Sequence, residues 1–481
     1  MHGKLVRFLR SSVAAPLTAL AAVGCAARDA SPWPEPSALG REIPAVRPAG
    51  EAFQAAERPP AVEEPVGHLT LRRALALALA RNPALSAASW AVRAADGVAV
   101  QEGLVPNPEV RVTVDDLGGT GELEGTRFSE QTVRLSQVIE LGDKAGKRRR
   151  TARLEAALCG WDYEAIRLDV LTETTKAFVA VLAAQKRLAA AEEMCEQAAF
   201  VLSLVTRRVQ GGAGSDLEVD EAKIELGTSR VDLEQAKQAL DAARGVLASR
   251  WDEQAPRFRE AAGNLEDAPL AEIPPWERVL ARIEGNPDVR RWETEVQVRR
   301  AALDREKAAS VPDVRVLVGG RREEETGDYG YLFALEMSLP VFDRNQGGIR
   351  EARANCTQAG YDHRAAVLLT VAALREAYKG LAGSHKEAAL LRGEVLPAAR
   401  RAVAASRRGL DGGALTDLQL LKAHRALFKA RIRQIDALEV FHVSVADVER
   451  LIGQPVGTLS ASGPRDSPSG RSAPVETSGE P

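Results

Sequence analysis

The chain has 481 residues, of which 27% are charged and only 4% aromatic, and its formal net charge is −3. A charge this small excludes the strong basic field that nucleic-acid binding needs. The abundance of Ala, Leu, Arg and Glu favours long, closely packed helices over one large globular core. Between residues 68 and 453 no apolar run approaches the ~20 residues of a membrane-spanning helix.

Residues 1–24 have the pattern of a secretory signal peptide. A short basic region precedes the apolar stretch Val13–Val23, which is too short to span a bilayer and ends at Gly24-Cys25. Because Ala22-Val23-Gly24-Cys25 resembles a bacterial lipobox, we expect lipidation at Cys25. A lipid there would add membrane affinity of roughly 0.8 kcal/mol per buried methylene. The alternative is ordinary cleavage near Ala26 or Ala27, without a lipid.

Both ends of the remaining chain are rich in residues that disfavour a core. Residues 25–67 include eight prolines between Pro32 and Pro65, which predicts an extended, lipidated tether. Residues 454–481 are rich in Pro, Gly and Ser, which predicts a disordered tail.

The body of the chain is duplicated. The segment from Asn82-Pro83 to Val112 recurs, 204 residues later, from Asn286-Pro287 to Val316. At an offset of 201, Val219, Leu226, Leu240 and Leu247 recur as Leu420, Leu427, Phe441 and Val448. Solenoid repeats have periods of about 20 to 50 residues, so this spacing indicates duplication of a half-molecule. We assign residues 68–268 to the first repeat and 269–453 to the second.

Each repeat is predicted to begin with a bent helix. In the first, a helix over Arg72–Ala80 is interrupted at Asn82-Pro83 before a second stretch to about Glu102; Trp276–Arg282 and Asn286-Pro287 repeat the pattern. Proline disfavours helical geometry at the residue before it, which predicts a bend at both sites.

A β-hairpin follows in each repeat. Val110, Val112 and Val114 alternate with polar residues, as do the valines from 314 to 318, and the return strands are predicted at Val133–Ile139 and Tyr329–Leu339. Such alternation indicates strands with one apolar face, and their length fits the ~9–11 residues of a tilted membrane strand. The alternative is a small soluble hairpin packed on a helix, although two strands alone are marginally stable.

Long helices lead away from the hairpins. Lys147–Arg208 contains no proline and predicts a rod of about 90 Å. The matching stretch Gly348–Arg408 contains Gly380, Gly383 and Pro397, which predict two stacked helical pieces.

Glycine-rich turns close both long helices, at Gly211–Ser215 and at Gly409–Gly413. The returning helices that follow have one large residue every seven positions and small residues at the second seam position, which predicts close antiparallel coiled-coil packing. Either residue of Ser215-Asp216 and of Thr416-Asp417 is a plausible helix cap.

Two hairpins supply only four strands, too few for a barrel whose edges must close in lipid, whereas three chains supply twelve. Residues 68–453 resemble the TolC-like outer membrane efflux protein family. The resemblance depends on the order, spacing and duplication of five stretches: Asn82-Pro83, Pro106-Asn107-Pro108, Ser136–Lys144, Gly211–Val219 and Ser338–Asp343. Ile139–Gly142, followed by Lys144, Lys147 and Arg148, is most similar to the branch that serves cobalt-zinc-cadmium efflux.

The resemblance implies a mainly α protein with a small β part, which forms a homotrimeric 12-stranded outer-membrane β-barrel continuing into a periplasmic α-barrel. It also implies docking to a periplasmic adaptor (membrane fusion) protein and an inner-membrane RND-type pump. The channel would conduct its substrate, heavy-metal cations, passively. The same conduit for drug efflux or type I protein secretion remains an alternative, and so does a non-conducting periplasmic coiled-coil lipoprotein.

The resemblance implies functional residues at the two tips. Adaptor contacts are expected at Arg208, Gly212, Ser215, Leu217, Arg408, Gly412, Thr416 and Leu418. Carboxylates repeated around a narrow axis create a strong local field, and the candidates for the tunnel entrance are Asp216, Asp220, Asp411 and Asp417. The alternative is that Asp216 and Asp417 only cap helices.

We expect no enzymatic activity, cofactor or metal site, because the sequence has no nucleophile–base constellation or phosphate-binding loop. Cys159, Cys195 and Cys356 match no metal motif and are expected to be single thiols. The histidines form no short cluster with ligand spacing.

Overall fold

Two similar units, each a β-hairpin followed by a long helical hairpin, make up the structure. The computed structural model describes residues 31–45, 63–267, 273–411 and 415–461. Two predicted functional residues, Cys25 and Gly412, therefore lie outside the described residues.

The first unit follows the predicted order of elements. They are β1 (His68–Thr70), α1 (Leu71–Arg81), α2 (Pro83–Glu102), β2 (Glu109–Asp115), β3 (Glu130–Ile139), α3 (Lys144–Gln210) and α4 (Asp216–Ser249). A 3-10 turn, Gly121–Leu123, lies between the two hairpin strands.

The second unit repeats this order after a short strand that pairs in parallel with β1. Its elements are β4 (Glu260–Ala262), α5 (Trp276–Leu280), α6 (Pro287–Ala309), β5 (Val314–Glu323), β6 (Tyr329–Met337), α7 (Gln346–Leu390), α8 (Leu396–Asp411), α9 (Asp417–Ile452) and α10 (Gly457–Ala461). Short 3-10 turns occupy Leu265–Asp267 and Ile283–Gly285.

Both Asn-Pro pairs begin helices, as predicted. Asn82 Oδ1 accepts hydrogen bonds from the backbone nitrogens of the next helix, 3.0 Å from Ala84 N, and Asn286 Oδ1 does the same, 2.7 Å from Asp288 N. Proline suits the first helical position, where its missing N–H is not needed. Each Asn also donates its amide to a carbonyl at the end of the returning helix, Arg250 O or Leu451 O. These caps tie the two ends of each unit together.

The four hairpin strands form one antiparallel sheet in the order β2-β3-β5-β6. The two hairpins meet along β3 and β5, where Leu135 lies opposite Val318 and Ile139 opposite Val314. The predicted hairpins are confirmed, and the first return strand begins three residues earlier than expected, at Glu130.

The first long helix, α3, is continuous for 67 residues, a length of about 100 Å. The second is interrupted once, by a π-helical turn over Leu391–Val395 that joins α7 to α8. This turn lies just before Pro397, which has no N–H to continue the regular hydrogen bonding. The prediction that Gly380 and Gly383 also break the helix is wrong, because both lie inside α7.

The returning helices pack through the predicted seven-residue pattern. Leu226 and Leu247 are buried on α4, and Leu420, Leu427 and Phe441 on α9. In the packing order of the helical hairpins, α4 lies on α3, α3 on α9, and α9 on α7 and α8. α4 and α8 therefore form the two outer sides of this layer.

Part of the expected tether packs against the helices. Residues 31–45 lie across α3, where Ile43 is buried with Tyr163 and Leu39 N donates to Gly453 O at 2.9 Å. The prediction of an extended segment without a core therefore does not hold for residues 31–45. At the other end, Leu459 of α10 is buried, so the expected disordered tail does not begin at residue 454.

No helix within the described ranges is both long and apolar enough to cross a membrane.

Candidate functional site

One face of the four-stranded sheet is apolar and exposed. Residues opposite one another in the register share a face, and the alternation along β2 and β6 is therefore continued through β3 and β5. The mostly apolar face comprises Val110, Val112, Val114, Val133, Leu135, Ile139, Val314, Val316, Val318, Tyr329, Tyr331, Phe333, Leu335 and Met337, and the same register places Gln131, Gln137 and Arg322 on it. Tyr331 is 94% exposed and Phe333 75%, so within this chain nothing described covers the outer part of that face.

The opposite face of the sheet is mainly polar, although Leu317, Leu332 and Ala334 also lie on it, and it carries ion pairs between strands. Arg315 Nη1 lies 3.1 Å from Glu109 Oε2, and Arg321 Nη1 lies 3.5 Å from Glu130 Oε2. Thr132 is almost fully buried on this face. The sheet thus has one side suited to an apolar medium and one suited to water.

The two outer strands, β2 and β6, each have a partner on one side only among the described residues. An unpaired strand edge presents a row of backbone N–H and C=O groups that can pair with another chain. The sheet is therefore incomplete in a single copy.

At the other end of the long helices, Arg208 joins the two tips. Its guanidinium lies 2.6 Å from Glu218 Oε2 on α4 and 2.9 Å from Asp417 Oδ2 on α9. Asp417 is 6% exposed, and Arg208 and Glu218 are partly buried. One arginine thus pairs with carboxylates from both returning helices and links the two tips.

Ser215 and Thr416, and not the aspartates that follow them, occupy the N-cap positions of the returning helices. Thr416 Oγ1 accepts from Gln419 N at 3.3 Å, and Thr416 N donates to Gln419 Oε1 at 2.9 Å, which is a capping box. Asp216 and Asp417 are the first helical residues, where a negative charge is stabilised by the helix dipole.

The four candidate acids have different surroundings. Asp417 is buried and paired with Arg208, whereas Asp216 is exposed and Asp220 is exposed with Lys223 Nζ 3.0 Å away. The side chain of Asp411 lies outside the described part of the structure. The structure therefore separates Asp417 from the exposed acids, and their proposed role at a tunnel entrance stays a prediction.

The expected adaptor contacts also divide into two groups. Gly212, Ser215, Leu217, Arg408 and Thr416 are exposed, and Gly212 has a φ of +79° that favours glycine. Leu418 instead packs beside a buried cluster that includes Val201, Val205 and Leu421.

Sequence reasoning missed the role of Glu218, which pairs with Arg208 and also accepts from Ser215 N at 3.4 Å. The Ser-x-x-Glu spacing at residues 215–218 is the signal that could have identified it. Sequence reasoning also missed a cleft of about 330 Å³ between α4 and α9, lined by Glu221, Glu225, Leu418, Leu421, Lys422 and Arg425.

Comparison with known proteins resolves the family. The model of the family described as "Outer membrane efflux protein" matches residues 74–251 and 281–454, one segment in each unit. The chain belongs to this family. The sequence-based resemblance is thereby confirmed, and the family indicates an outer membrane location.

The relatives include proteins of metal resistance. The chain is 31% identical over 391 residues to the cobalt-zinc-cadmium resistance protein CzcC of Cupriavidus metallidurans, covering 81% of this chain and 91% of that one. It is 28% identical to the nickel and cobalt resistance protein CnrC of the same organism, over 63% of this chain and 70% of the relative.

Solved structures share the fold. A structure of CusC superposes with a TM-score of 0.69 at 16% identity, covering 80% of this chain and 92% of that one. A membrane protein from Pseudomonas aeruginosa gives a TM-score of 0.67 at 20% identity, covering 79% and 93%.

Proposed function

We propose that the protein is the outer membrane channel of a tripartite efflux system, and that three copies form a 12-stranded barrel which continues into a periplasmic helical tube. The observation that carries this proposal is the sheet, with its mostly apolar face, its mainly polar opposite face and its two edges that have no partner among the described residues. A non-conducting coiled-coil lipoprotein would have no use for such a sheet.

The sheet requires closure because backbone groups in lipid need internal hydrogen-bond partners. β6 of one copy pairs with β2 of the next, and the pairing repeats until the ring is closed. In that ring the apolar face contacts the outer membrane lipid and the ion pairs of Arg315 and Arg321 face a water-filled lumen.

The substrate that we propose is a divalent heavy-metal cation. The support is the similarity to CzcC and CnrC, both named as metal-resistance proteins. The ions are cargo that passes along the lumen, and an inner-membrane RND-type pump supplies the energy. Lipidation at Cys25 remains part of the proposal.

The tips are the proposed contact with the periplasmic adaptor protein. The cleft between α4 and α9 has an apolar floor at Leu418 and Leu421, and charges of both signs on its rim, at Glu221, Glu225 and Lys422. Such a surface suits the tip of an amphipathic helical hairpin.

The assembly is tested by separating the membranes of producing cells and running unheated and heated samples on denaturing gels. We expect an outer-membrane species three times the chain mass that dissociates only on heating. A water-soluble monomer of the mature chain would overturn the proposal.

The substrate is tested in a deletion strain, with Co²⁺, Zn²⁺ and Cd²⁺ compared with a panel of hydrophobic drugs. We expect sensitivity to the cations, restored by the unsubstituted chain. Loss of drug resistance with unchanged metal resistance would favour drug efflux by the same conduit.

A further inference from the structure

The duplication predicts the contact between neighbouring copies in the helical tube. Within one chain, the outgoing helix of the first unit, α3, packs against the returning helix of the second, α9. Their duplicates are α8, the tip portion of the second outgoing helix, and α4, the first returning helix. These duplicates form the two outer sides of the helical layer, so a second copy can bring them together.

The two units have a common register near the tips. At the offset of 201, Gly211-Gly212-Ala213 matches Gly412-Gly413-Ala414 and Asp216 matches Asp417. The packing agrees with this offset. In the second unit, Leu396 and Val403 of α8 belong to one cluster with Leu427 of α9. At the same positions of the first unit, Cys195 and Leu202 of α3 belong to one cluster with Leu226 of α4. Residues of α3 and α8 can therefore be compared one by one.

The face of α3 that meets α9 includes Met194 and Val201, both buried, and it carries an ion pair between Glu193 and Arg431. The same positions on α8 and the π-helical turn before it are Val395, Ala402 and Glu394, all exposed. The acid of the ion pair is thus also present in the duplicate, as Glu394, but there it is exposed.

The base of that ion pair is conserved as well. Arg431 corresponds to Arg230 on α4, which is exposed. Within the described part of the chain, neither Arg230 nor Glu394 forms an ion pair. The two halves of one duplicated salt bridge therefore lie on opposite outer sides of the same chain.

The wider surfaces are complementary in charge and shape. Arg400, Arg401, Arg407 and Arg408 make α8 basic, whereas the first ten residues of α4 contain five acids and one lysine. On α4, Leu217, Ile224 and Val231 repeat every seven residues and are 68%, 69% and 56% exposed. At 3.6 residues per turn they lie opposite the face that meets α3. Small residues on α8, Ala398, Ala402 and Ala405, give such a stripe room to approach.

In the proposed trimer α8 meets α4 of a second copy in the register of the internal α3–α9 contact, and we propose that Glu394 pairs there with Arg230 of the neighbouring copy. The interface joins two different surfaces, and such an interface closes a ring when each copy is rotated by one third of a turn, as in the proposed trimer. The interface covers the stripe formed by Leu217, Ile224 and Val231. Leu217 then contributes to the contact between subunits and not to the contact with the adaptor. The inference rests on the proposed trimer.

Cysteine cross-linking in the full chain tests the register, with Cys159, Cys195 and Cys356 replaced by serine. At the offset of 201, Ala402 corresponds to Val201 and Asp220 to Leu421, which pack in one cluster within the chain. A short bismaleimide should therefore link the variant that carries both Ala402→Cys and Asp220→Cys into covalent trimers. The control pairs Asp220→Cys with Ala404→Cys, because Ala404 is equally exposed but lies on the other side of α8. Equal linking of both pairs, or none in an intact trimer, overturns the inference and leaves the proposed function standing. Failure of the unsubstituted chain to form a trimer overturns both.

Charge reversal tests the ion pair. Glu394→Lys and Arg230→Glu should each reduce the heat-resistant trimer about two- to fivefold, in line with an exposed ion pair, and the double variant should restore it. Arg392→Glu, on the same turn, is the control and should leave the trimer unchanged. Single variants that weaken the trimer without rescue by the double variant would overturn the pairing.

Labelling of a cysteine in the stripe of Leu217, Ile224 and Val231 tests whether a second copy or an adaptor covers this stripe. Ile224→Cys should resist maleimide labelling in the purified trimer and react after heating to monomers. Rapid labelling in the purified trimer would leave the stripe to another partner and overturn the inference.

Discussion

The two long outgoing helices come from one ancestral element but have different neighbours. α3 has 24 buried residues among its 67, whereas α7 has six among 45. The reason is position: α3 packs between α4 and α9 and also against α2 and α6, while α7 packs on α6 and α9. The difference in burial shows that the first unit supplies the interior helix, α3. The second unit supplies α7 and α8, whose outer side is left uncovered in a single copy.

The largest effect is expected from breaking the buried ion pair under residues 31–45. Glu164 and Arg167 of α3 are 0% and 2% exposed, and Glu164 Oε1 lies 2.8 Å from Arg167 Nη2 and accepts from Ser37 N at 2.7 Å. Arg167→Ala leaves a buried carboxylate without its partner, which costs about 3–5 kcal/mol. We expect a lower melting temperature by circular dichroism and faster proteolysis at residues 31–45.

The matched control is Arg290→Ala on α6. Arg290 is exposed and its partner Glu293 is only partly buried, so this substitution should cost less than about 1 kcal/mol. Equal melting temperatures for the two variants would contradict the distinction between the buried ion pair and the exposed one.

A smaller effect is expected at the tip of the covered helix. Arg208→Ala removes the cation between Glu218 and Asp417 and should weaken the tip by about 1–3 kcal/mol, because Asp417 is left buried. Hydrogen exchange at the start of α9 should become faster. Arg400→Ala on the exposed side of α8 should leave that exchange unchanged, and an equal response would show that Arg208 has no special role.

The open side can also be stabilised. A Cβ at Gly383 of α7 would meet no described atom within 4 Å, whereas one at Gly380 would lie 3.3 Å from Ser444 Oγ. Gly383→Ala should therefore raise the stability by about 0.4–1 kcal/mol, and Gly380→Ala should gain less. Thermal melts of both variants measure the difference; a greater gain at Gly380 would contradict it.

The smallest effect is expected from the partly buried His424 at the α3–α9 contact. Burial lowers the pKa of this imidazole below its usual value; Glu193 raises it in part, and Arg407 and Arg431 lower it further. Because the folded state disfavours the proton, the stability is complete above the ordinary pKa of about 6.5 and falls as the pH drops through the lowered pKa. His424→Gln should remove this component from melts below pH 6.5, and an unchanged slope would contradict it.

The sequence predicted those parts of the fold that depend on local pattern. Alternating valines identified the strands, both Asn-Pro pairs identified helix starts, and leucines seven residues apart identified the returning helices. The patterns could not identify the pairing of β3 with β5, which depends on the arrangement of the two units.

Other features depend on contacts between distant segments. The prolines of residues 32–44 disfavour helix and strand, yet irregular chain can pack when a buried pair such as Glu164 and Arg167 binds its backbone groups. At the tips, the sequence identified the turns and caps, but the partners of Arg208 lie on two separate helices. Glycines 380 and 383 predicted a break that tertiary packing does not produce.

The close approach of residues 31–45 to α3 also limits how far the amino-terminal part can reach. A Cβ at Gly160 would lie 2.2 Å from Pro32 O, so glycine is required where the segment crosses the helix. Gly160 is 16 residues along α3 from Lys144, about 24 Å from its sheet end. Cys25 precedes Pro32 by seven residues, which span at most about 25 Å when fully extended. A lipid on Cys25 can therefore enter the membrane at the sheet end of α3 only if that stretch is drawn straight along the helix. In the proposed lipid-anchored assembly, the crossing at Gly160 would therefore limit how far the sheet end of α3 can lie from the membrane.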